Sequence, residues 1–155
     1  MTRVTSVRMP ADEAWQFVED SHTGVFTSMR LDGTPVALPV WYVVEDGVVW
    51  LTTPSRSKKV SRVRANPTTS FLVESGVCWT ELKAVQFGCT ATVFTGDPVA
   101  RIEQMKNVKY AAFRAPRSAM PAATRKHYED ERVAIRLEPS ERLVTWDNSR
   151  LAEAR

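Results

Sequence analysis

Apolar positions along this chain recur with a period of two in most segments and with a helical period in a few short ones. The segments with strand character cover residues 25–31, 36–44, 48–53, 68–74, 84–95, 132–138 and 142–146. Helical spacing is found over residues 10–19, 58–64, 97–113 and 122–131. Asp32-Gly33 and Asp46-Gly47 lie between consecutive strands and are residue pairs that tight hairpins favour. The pattern therefore predicts antiparallel strands that are joined in part by tight hairpin turns.

The order of these elements predicts a mainly β fold of the α+β class, an antiparallel Greek-key β-barrel of six to seven strands with flanking helices. Residues 36–44 are apolar on both faces, which predicts a strand in the middle of a closed or two-layered structure. The chain has 155 residues and shows neither an internal repeat nor a low-complexity linker. We therefore expect a single domain that spans residues 1–155.

Composition narrows the class of protein. Apolar residues make up 43% and charged residues 25%, as in folded soluble proteins. No apolar run approaches the ~20 residues of a bilayer span, so we expect a cytoplasmic protein without membrane contact. Cys78 and Cys89 are far from CxxC spacing and are expected to be reduced thiols. The net charge of +3 is compatible with nucleic acid but does not imply it.

Residues 46–67 have the order of elements that is typical of an anion site: a turn, a strand, a Ser/Thr-rich loop and a short helix. Lys58 and Lys59 open that helix, where the partial positive charge of the helix terminus disfavours cations. A phosphate would reverse this preference, because backbone N–H groups, the hydroxyls of Ser55 and Ser57 and both ammonium groups could face it. The alternative is a lysine pair that is only solvated surface, and its unfavourable helix position argues against that.

The sequence offers little chemistry of its own. The motifs GxSxG and HExxH are missing, and no clear acid and base pair is present. His22 and His127 have no companions at metal-ligand spacing, so we predict no metal site. Trp15, Trp41, Trp50 and Trp79 are expected in the core or in a subunit interface. A redox cofactor would supply the missing chemistry, and the catalytic residues remain unknown.

The stretch GVFTSMRLDGTPVALPVWYVVEDGVVWLTTPSRSKKVSRVRANPTTSFLVESG combines two DG hairpins, a PVW strand, a T-rich strand end, an SKK turn and a helix that ends in NP. In that order these features resemble the split-barrel flavin-binding superfamily that includes pyridoxamine 5′-phosphate oxidase. The resemblance covers about residues 20–95, with a weaker similarity in RVAIRLEPSERLVTWDNSRL. It implies a split β-barrel that binds FMN or the deazaflavin coenzyme F(420) at the interface of a homodimer.

The resemblance also implies which residues form the site. Ser57, Lys58 and Lys59 would hold the cofactor phosphate, and either Thr52 or Thr53 would contact the phosphate or the ribityl chain. Backbone groups of Pro39, Val40 and Trp41 would lie along the isoalloxazine edge. Gln86 and Trp146 would approach the ring from the other subunit.

The C-terminal WDNSRL segment departs from a true pyridoxamine phosphate oxidase, because it lacks the histidine of that family's substrate-phosphate site. Vitamin B6 oxidation is therefore not expected. The resemblance implies an oxidoreductase that uses F(420) or FMN to transfer a hydride to a small unsaturated or conjugated molecule. The alternatives are a flavin- or haem-binding barrel for storage, sensing or sequestration and, with least support, a nucleic-acid-binding barrel.

Overall fold

A computed structural model describes residues 6–140 and 142–152. Within these ranges the strands are β1 (Gly24–Met29), β2 (Pro35–Val40), β3 (Val43–Glu45), β4 (Val48–Pro54), β5 (Thr68–Ser75), β6 (Lys83–Phe94), β7 (Arg132–Pro139) and β8 (Val144–Asp147). The α-helices are α1 (Ala11–Asp20), α2 (Lys58–Ala65), α3 (Asp97–Lys109), α4 (Ala122–Glu129) and α5 (Ser149–Ala152). Short 3-10 turns occupy Trp79–Glu81, Ala111–Phe113 and Arg117–Ala119. No helix in these two ranges is long and apolar enough to cross a membrane.

All the paired strands are antiparallel and form one sheet in the order β2-β1-β5-β6-β7-β4-β3, with β8 paired to β6. The long strand β6 organises the sheet. It pairs with β5 along one edge, while its other edge pairs with β8 over Lys83–Gln86 and with β7 over Cys89–Phe94. The mainly β, antiparallel fold with flanking helices is thereby confirmed, with eight strands in the described part of the chain instead of the expected six to seven.

The sheet curls because its two end strands are consecutive in the chain. Only Trp41 and Tyr42 separate β2 from β3, although these strands lie at opposite ends of the strand order. A two-residue link cannot span a flat sheet of this width, since adjacent strands lie about 4.8 Å apart. The ends must therefore approach each other, which leaves an open seam in the barrel between β2 and β3.

The prediction of a central strand over residues 36–44 is wrong. The segment breaks into β2 and β3, and most of β2 is exposed, including Leu38. Pro35 and Pro39 lack a backbone N–H group and are therefore suited to an edge strand. Apolar content alone could not reveal this, because the burial of a strand depends on which neighbours cover it.

The hairpin prediction at residues 46–47 is confirmed. Asp46 has a φ of 53° and Gly47 a φ of 70°, and β3 and β4 pair on either side of them. Positive φ values at both central residues are the requirement of a type I′ turn. This turn fixes the register of β4, whose far end carries Thr52 and Thr53.

Side chains on the two faces of the sheet enter two apolar clusters. Val49 and Leu51 of β4 point into the barrel core, which includes large buried residues such as Phe26, Phe71 and Phe87. Trp50 points to the opposite face and packs in a cluster that includes Ile102 of α3. Alternation along β4 therefore directs one side chain into the barrel and the next toward α3.

The helices differ from their predictions in detail. α2 buries Val60 and Val63, as their spacing predicts. α3 ends at Lys109 and not at residue 113, and Val108 on its expected apolar face is 77% exposed. Lys106 is buried in its place. A lysine on the packed face of a helix requires polar partners, and these define the candidate site.

Candidate functional site

The end of β4 and the start of α2 form a small hydroxyl-lined turn. Thr53 is buried, and its hydroxyl donates to the Ser57 Oγ across 3.2 Å. Ser57 is the N-cap of α2 and accepts from the Val60 N–H at 3.4 Å. The turn therefore places two hydroxyl groups beside the first turn of α2, where the backbone N–H groups of Lys58 and Lys59 precede the helical hydrogen bonds and can bind an anion.

Thr52 points to the other side of β4, toward α3 and β7. Its hydroxyl donates to Glu103 and accepts from the Lys106 ammonium group. Arg132 of β7 donates through Nη2 to the Thr52 carbonyl at 3.2 Å. Three elements that are distant in sequence therefore meet at Thr52.

Glu103 is the acidic centre of this junction. Its Oε1 lies 2.9 Å from the Lys106 Nζ and 2.8 Å from the Arg132 Nε. Burial raises the pKa of this carboxyl, but hydrogen bonds from Thr52 and Lys106 and the charges of Lys106 and Arg132 outweigh it. The pKa falls to about 2, so Glu103 is ionised throughout the neutral range.

Lys59, Arg62, Lys106 and Arg132 together form what we call the basic cluster. Burial lowers the pKa of Lys59, and the charges of Arg62, Lys106 and Arg132 lower it further, so Lys59 is repelled by the other three cations. Arg62 is held by a hydrogen bond to the buried Ser28 hydroxyl at 2.8 Å.

Among the described residues, the carboxylate that pairs with this cluster is that of Glu103. Four cations and one carboxylate leave a formal excess of three positive charges. Half-buried cations at this density are costly unless an anion binds between them. The basic cluster is therefore suited to a phosphate or to another multiply charged anion.

The two adjacent lysines have different surroundings. Lys59 is half-buried and belongs to the basic cluster, whereas Lys58 is exposed to solvent. Arg56, just before the helix, is exposed as well. A helical turn directs neighbouring side chains about 100° apart, so only one of the pair can face the cluster.

Pro39, Val40 and Trp41 lead from the end of β2 into the seam. Trp41 stacks on Tyr110, with ring centroids 4.4 Å apart and an interplanar angle of 1°. The Tyr110 hydroxyl accepts from the Tyr42 N–H at 2.9 Å and lies 2.9 Å from the Tyr42 carbonyl. The β3–β4 register pairs Val43 with Trp50, so the residues before Val43 lie toward the Thr52 end of β4.

One chain does not bring Gln86 and Trp146 to the Thr52 end of β4. Thr52 lies opposite Ala134, and Ala134 lies opposite Phe94 of β6. Gln86 is eight positions before Phe94, which corresponds to about 26 Å along the strand. Trp146, which pairs with Ala84, is at the same distant end and is 37% exposed.

Sequence reasoning missed the half of the site that α3 and β7 contribute. Glu103 and Lys106 are three residues apart on one helix face, and Arg132 begins a later strand. A sequence signal existed only for the helical pair, since a Glu and a Lys at this spacing often interact. Their proximity to Thr52 comes from the packing of α3 on β4.

Comparison with known proteins places the chain in a family. The family model described as pyridoxamine 5′-phosphate oxidase matches residues 10–145. No curated protein matches the chain. Among solved structures, the conserved hypothetical protein Rv2991 from Mycobacterium tuberculosis is 28% identical, with a TM-score of 0.78, over 98% of this chain and 93% of that one.

Two more distant structures show the same fold. An F(420) reductase is 20% identical, with a TM-score of 0.66, over 88% of this chain and 98% of its own. HutZ, a haem storage protein from Vibrio cholerae, is 12% identical, with a TM-score of 0.63, over 90% of this chain and 97% of its own. The family model matches most of the length of this chain, so the chain belongs to the pyridoxamine 5′-phosphate oxidase family.

Proposed function

We propose that this protein is an oxidoreductase that uses the deazaflavin coenzyme F(420) or FMN to transfer a hydride to a small unsaturated or conjugated substrate. The basic cluster is the observation that supports this proposal, because it has an excess of positive charge next to a hydroxyl-lined helix start. A cofactor phosphate has the charge and the acceptor oxygens that such a site requires.

In this proposal the phosphate lies at the start of α2. Ser57 and Thr53 offer hydroxyls, Lys59 offers its ammonium group, and Lys58 adds charge from the exposed side. Thr52 has a different role from Thr53, because its hydroxyl is engaged by Glu103 and Lys106. Thr52 therefore orients the α3 side of the basic cluster and does not serve as the main phosphate ligand.

The ring of the cofactor is proposed to lie along the backbone of Pro39, Val40 and Trp41. The stack of Trp41 on Tyr110 holds this segment in place. Gln86 and Trp146 would then approach the ring from a second subunit, as the family resemblance implies. Within one chain both are far from Thr52, and Gln86, although in the same cross-strand row as Pro39, is three strands away, or about 14 Å. The proposal thus requires a homodimer with the cofactor at its interface.

The basic residues favour the longer coenzyme. The charge of Arg114 acts on Lys106, so positive charge continues from the basic cluster toward the segment after α3. FMN carries one phosphate, whereas F(420) has a longer anionic tail that could follow these cations. We therefore expect F(420) to bind more tightly than FMN.

When it is bound, the cofactor supplies hydride transfer, and the protein fixes its orientation and limits access of water. Lys59, Arg62, Lys106 and Arg132 bind the anionic part, while the Ser57 hydroxyl donates to a phosphate oxygen and Thr53 positions it by donating to the Ser57 Oγ. We assign no catalytic acid to this chain. Substrate selection is proposed to depend on residues 110–121, which follow α3 and are mostly exposed apart from the buried Tyr110.

Storage or sequestration of a flavin or a haem is the alternative function. The shared fold with HutZ supports it, and the exposed His127 has the side chain of a haem axial ligand, whereas the His22 ring packs against Trp41, Tyr110 and Phe113. Turnover distinguishes the two functions. Reduced F(420) and reduced FMN are each mixed with the protein and a panel of quinones and enones, and oxidation of the cofactor is followed by absorbance. An oxidoreductase accelerates oxidation with at least one acceptor, whereas a storage protein binds its ligand without acceleration.

A further inference from the structure

A cavity of about 480 Å³ opens at the free edge of β3, apart from the basic cluster. Val43 and Val44 form its floor, and Met105 and Val108 of α3 form one wall. Its polar lining consists of Glu19, Gln104 and Lys109. Its volume is in the range of sites for small organic ligands, and its mainly apolar walls with few polar groups are typical of them.

Lys109, the last residue of α3, is the unusual member of this lining. Its Nζ is buried and has no hydrogen-bond partner among the residues that the structure describes. The ammonium group lies 4.0 Å from the centre of the Tyr42 ring and 5.3 Å from that of Tyr110. Aromatic faces attract a cation but accept no conventional hydrogen bond, so up to three N–H donors remain unsatisfied.

The charges around Lys109 show what is missing. Burial lowers the pKa of its ammonium group to about 8, and the carboxylates of Glu19 and Asp20 oppose that shift. The other titratable groups against it are Tyr42 and Tyr110, whose pKa values are raised by burial, so both are neutral. Two carboxylates already offset one ammonium group. Lys109 therefore lacks a hydrogen-bond acceptor and does not lack a counter-charge.

We propose that this cavity binds a small, neutral and mainly apolar molecule whose carbonyl oxygen accepts a hydrogen bond from the Lys109 Nζ. The four-carbon side chain of lysine has enough rotatable bonds to turn the ammonium group from the Tyr42 ring toward the cavity. The valine and methionine walls bury the apolar part of the ligand. An anionic ligand is disfavoured because Glu19 and Asp20 would repel it.

The test uses the protein without cofactor, so its outcome is independent of the cofactor proposal. Acetophenone is titrated into protein with labelled methyl groups, and benzoate, which has the same ring and a charged head, is titrated in parallel. We expect methyl shifts confined to Val43, Val44, Met105 and Val108, and weaker binding of benzoate. Lys109→Met, which keeps the length and the apolar stem, should weaken acetophenone binding about tenfold. The exposed lysine variant Lys126→Met is the matched control and should bind like the wild type.

A second variant keeps the test decisive if Lys109→Met folds poorly. Val108 is 77% exposed at the cavity wall, so Val108→Trp should fold, fill the cavity and abolish the methyl shifts. The proposal is overturned if millimolar acetophenone causes no shifts at these methyl groups, or if Lys109→Met binds it as well as the wild type does. Tighter binding of benzoate than of acetophenone would also overturn it, because it would show that a counter-charge is missing.

Discussion

At the scale of single residues, Lys58 and Lys59 are neighbours in sequence but not in environment. Lys59 loses water and faces three other cations, whereas Lys58 remains exposed. The helix-start argument from sequence treats the two lysines alike, because both lie in the first turn of α2. Only the packing of α2 on β1 and β6 separates them, and this packing depends on contacts between residues distant in sequence.

This difference predicts unequal effects of two matched substitutions. Lys59→Met should weaken FMN or F(420) binding by about ten- to a hundredfold, since a charged hydrogen bond to phosphate is lost. The same variant should unfold at a higher temperature without ligand, because it relieves repulsion within the basic cluster. Lys58→Met should change affinity by less than about threefold, as expected for an exposed charge. Calorimetric titration measures the affinity and thermal unfolding measures the unfolding temperature. Equal losses of cofactor affinity in the two variants would refute the distinction.

At the scale of elements, the junction of β4, α3 and β7 depends on Glu103. This carboxylate accepts hydrogen bonds from Thr52, Lys106 and Arg132, and so ties the three elements together. Its removal would leave Lys106 and Arg132 partly buried without their counter-charge, which is a costly arrangement. The junction is therefore expected to contribute to stability as well as to the shape of the anion site.

Glu103→Gln should lower the free energy of unfolding at pH 7. It should also weaken the dependence of this free energy on pH in the acidic range. The pKa of Glu103 is about 2 in the folded protein against an ordinary value of 4.5, so its ionisation favours folding above pH 4.5. That contribution disappears as the pH falls from 4.5 toward 2. The stability difference between wild type and variant should therefore shrink over this window in urea unfolding experiments. A difference that stays constant with pH would show that Glu103 acts only through packing.

The elements themselves could largely be predicted from sequence, because turns and helix faces depend on nearby residues. The Asp46-Gly47 hairpin and the buried face of α2 are examples. The edge position of β2 had a sequence signal in Pro35 and Pro39, which cannot donate to a ladder, but the apolar residues of the segment favoured a central strand. The site residues also differ in how far sequence predicts them. Ser57 and Lys59 belong to a local motif that sequence reveals, whereas Lys106 and Arg132 come close to them only through tertiary packing.

At the scale of the whole molecule, the residues proposed for the site are spread over the sheet. Gln86 and Trp146 lie about 26 Å along β6 from the level of Thr52, and Trp146 is partly exposed. A second copy of the chain could bring the two ends together. Resemblance to the family, and not the fold of one chain, suggested these two residues.

Trp146→Ala tests the role of that end of the sheet. If a partner subunit contributes Trp146 to the cofactor site, the variant should bind cofactor at least about fivefold more weakly, because an aromatic contact with the ring is lost. Sedimentation should show a dimer for both proteins, and the unfolding temperature should change little. The control is Leu31→Ala, which alters a large apolar side chain that is 95% exposed and carries no proposed cofactor contact. Unchanged affinity in the dimeric Trp146→Ala variant would remove Trp146 from the site.

The most direct test of the central claim, that the basic cluster binds the anionic part of a flavin-type cofactor, is an equilibrium titration of the purified protein. F(420) and FMN are titrated separately into the wild type and into Lys59→Met. We predict that at least one cofactor binds the wild type with a Kd below about 100 μM, which corresponds to about −5.5 kcal/mol, and that Lys59→Met weakens this binding. Failure of both cofactors to bind the wild type, or equal affinity in Lys59→Met, would contradict the claim.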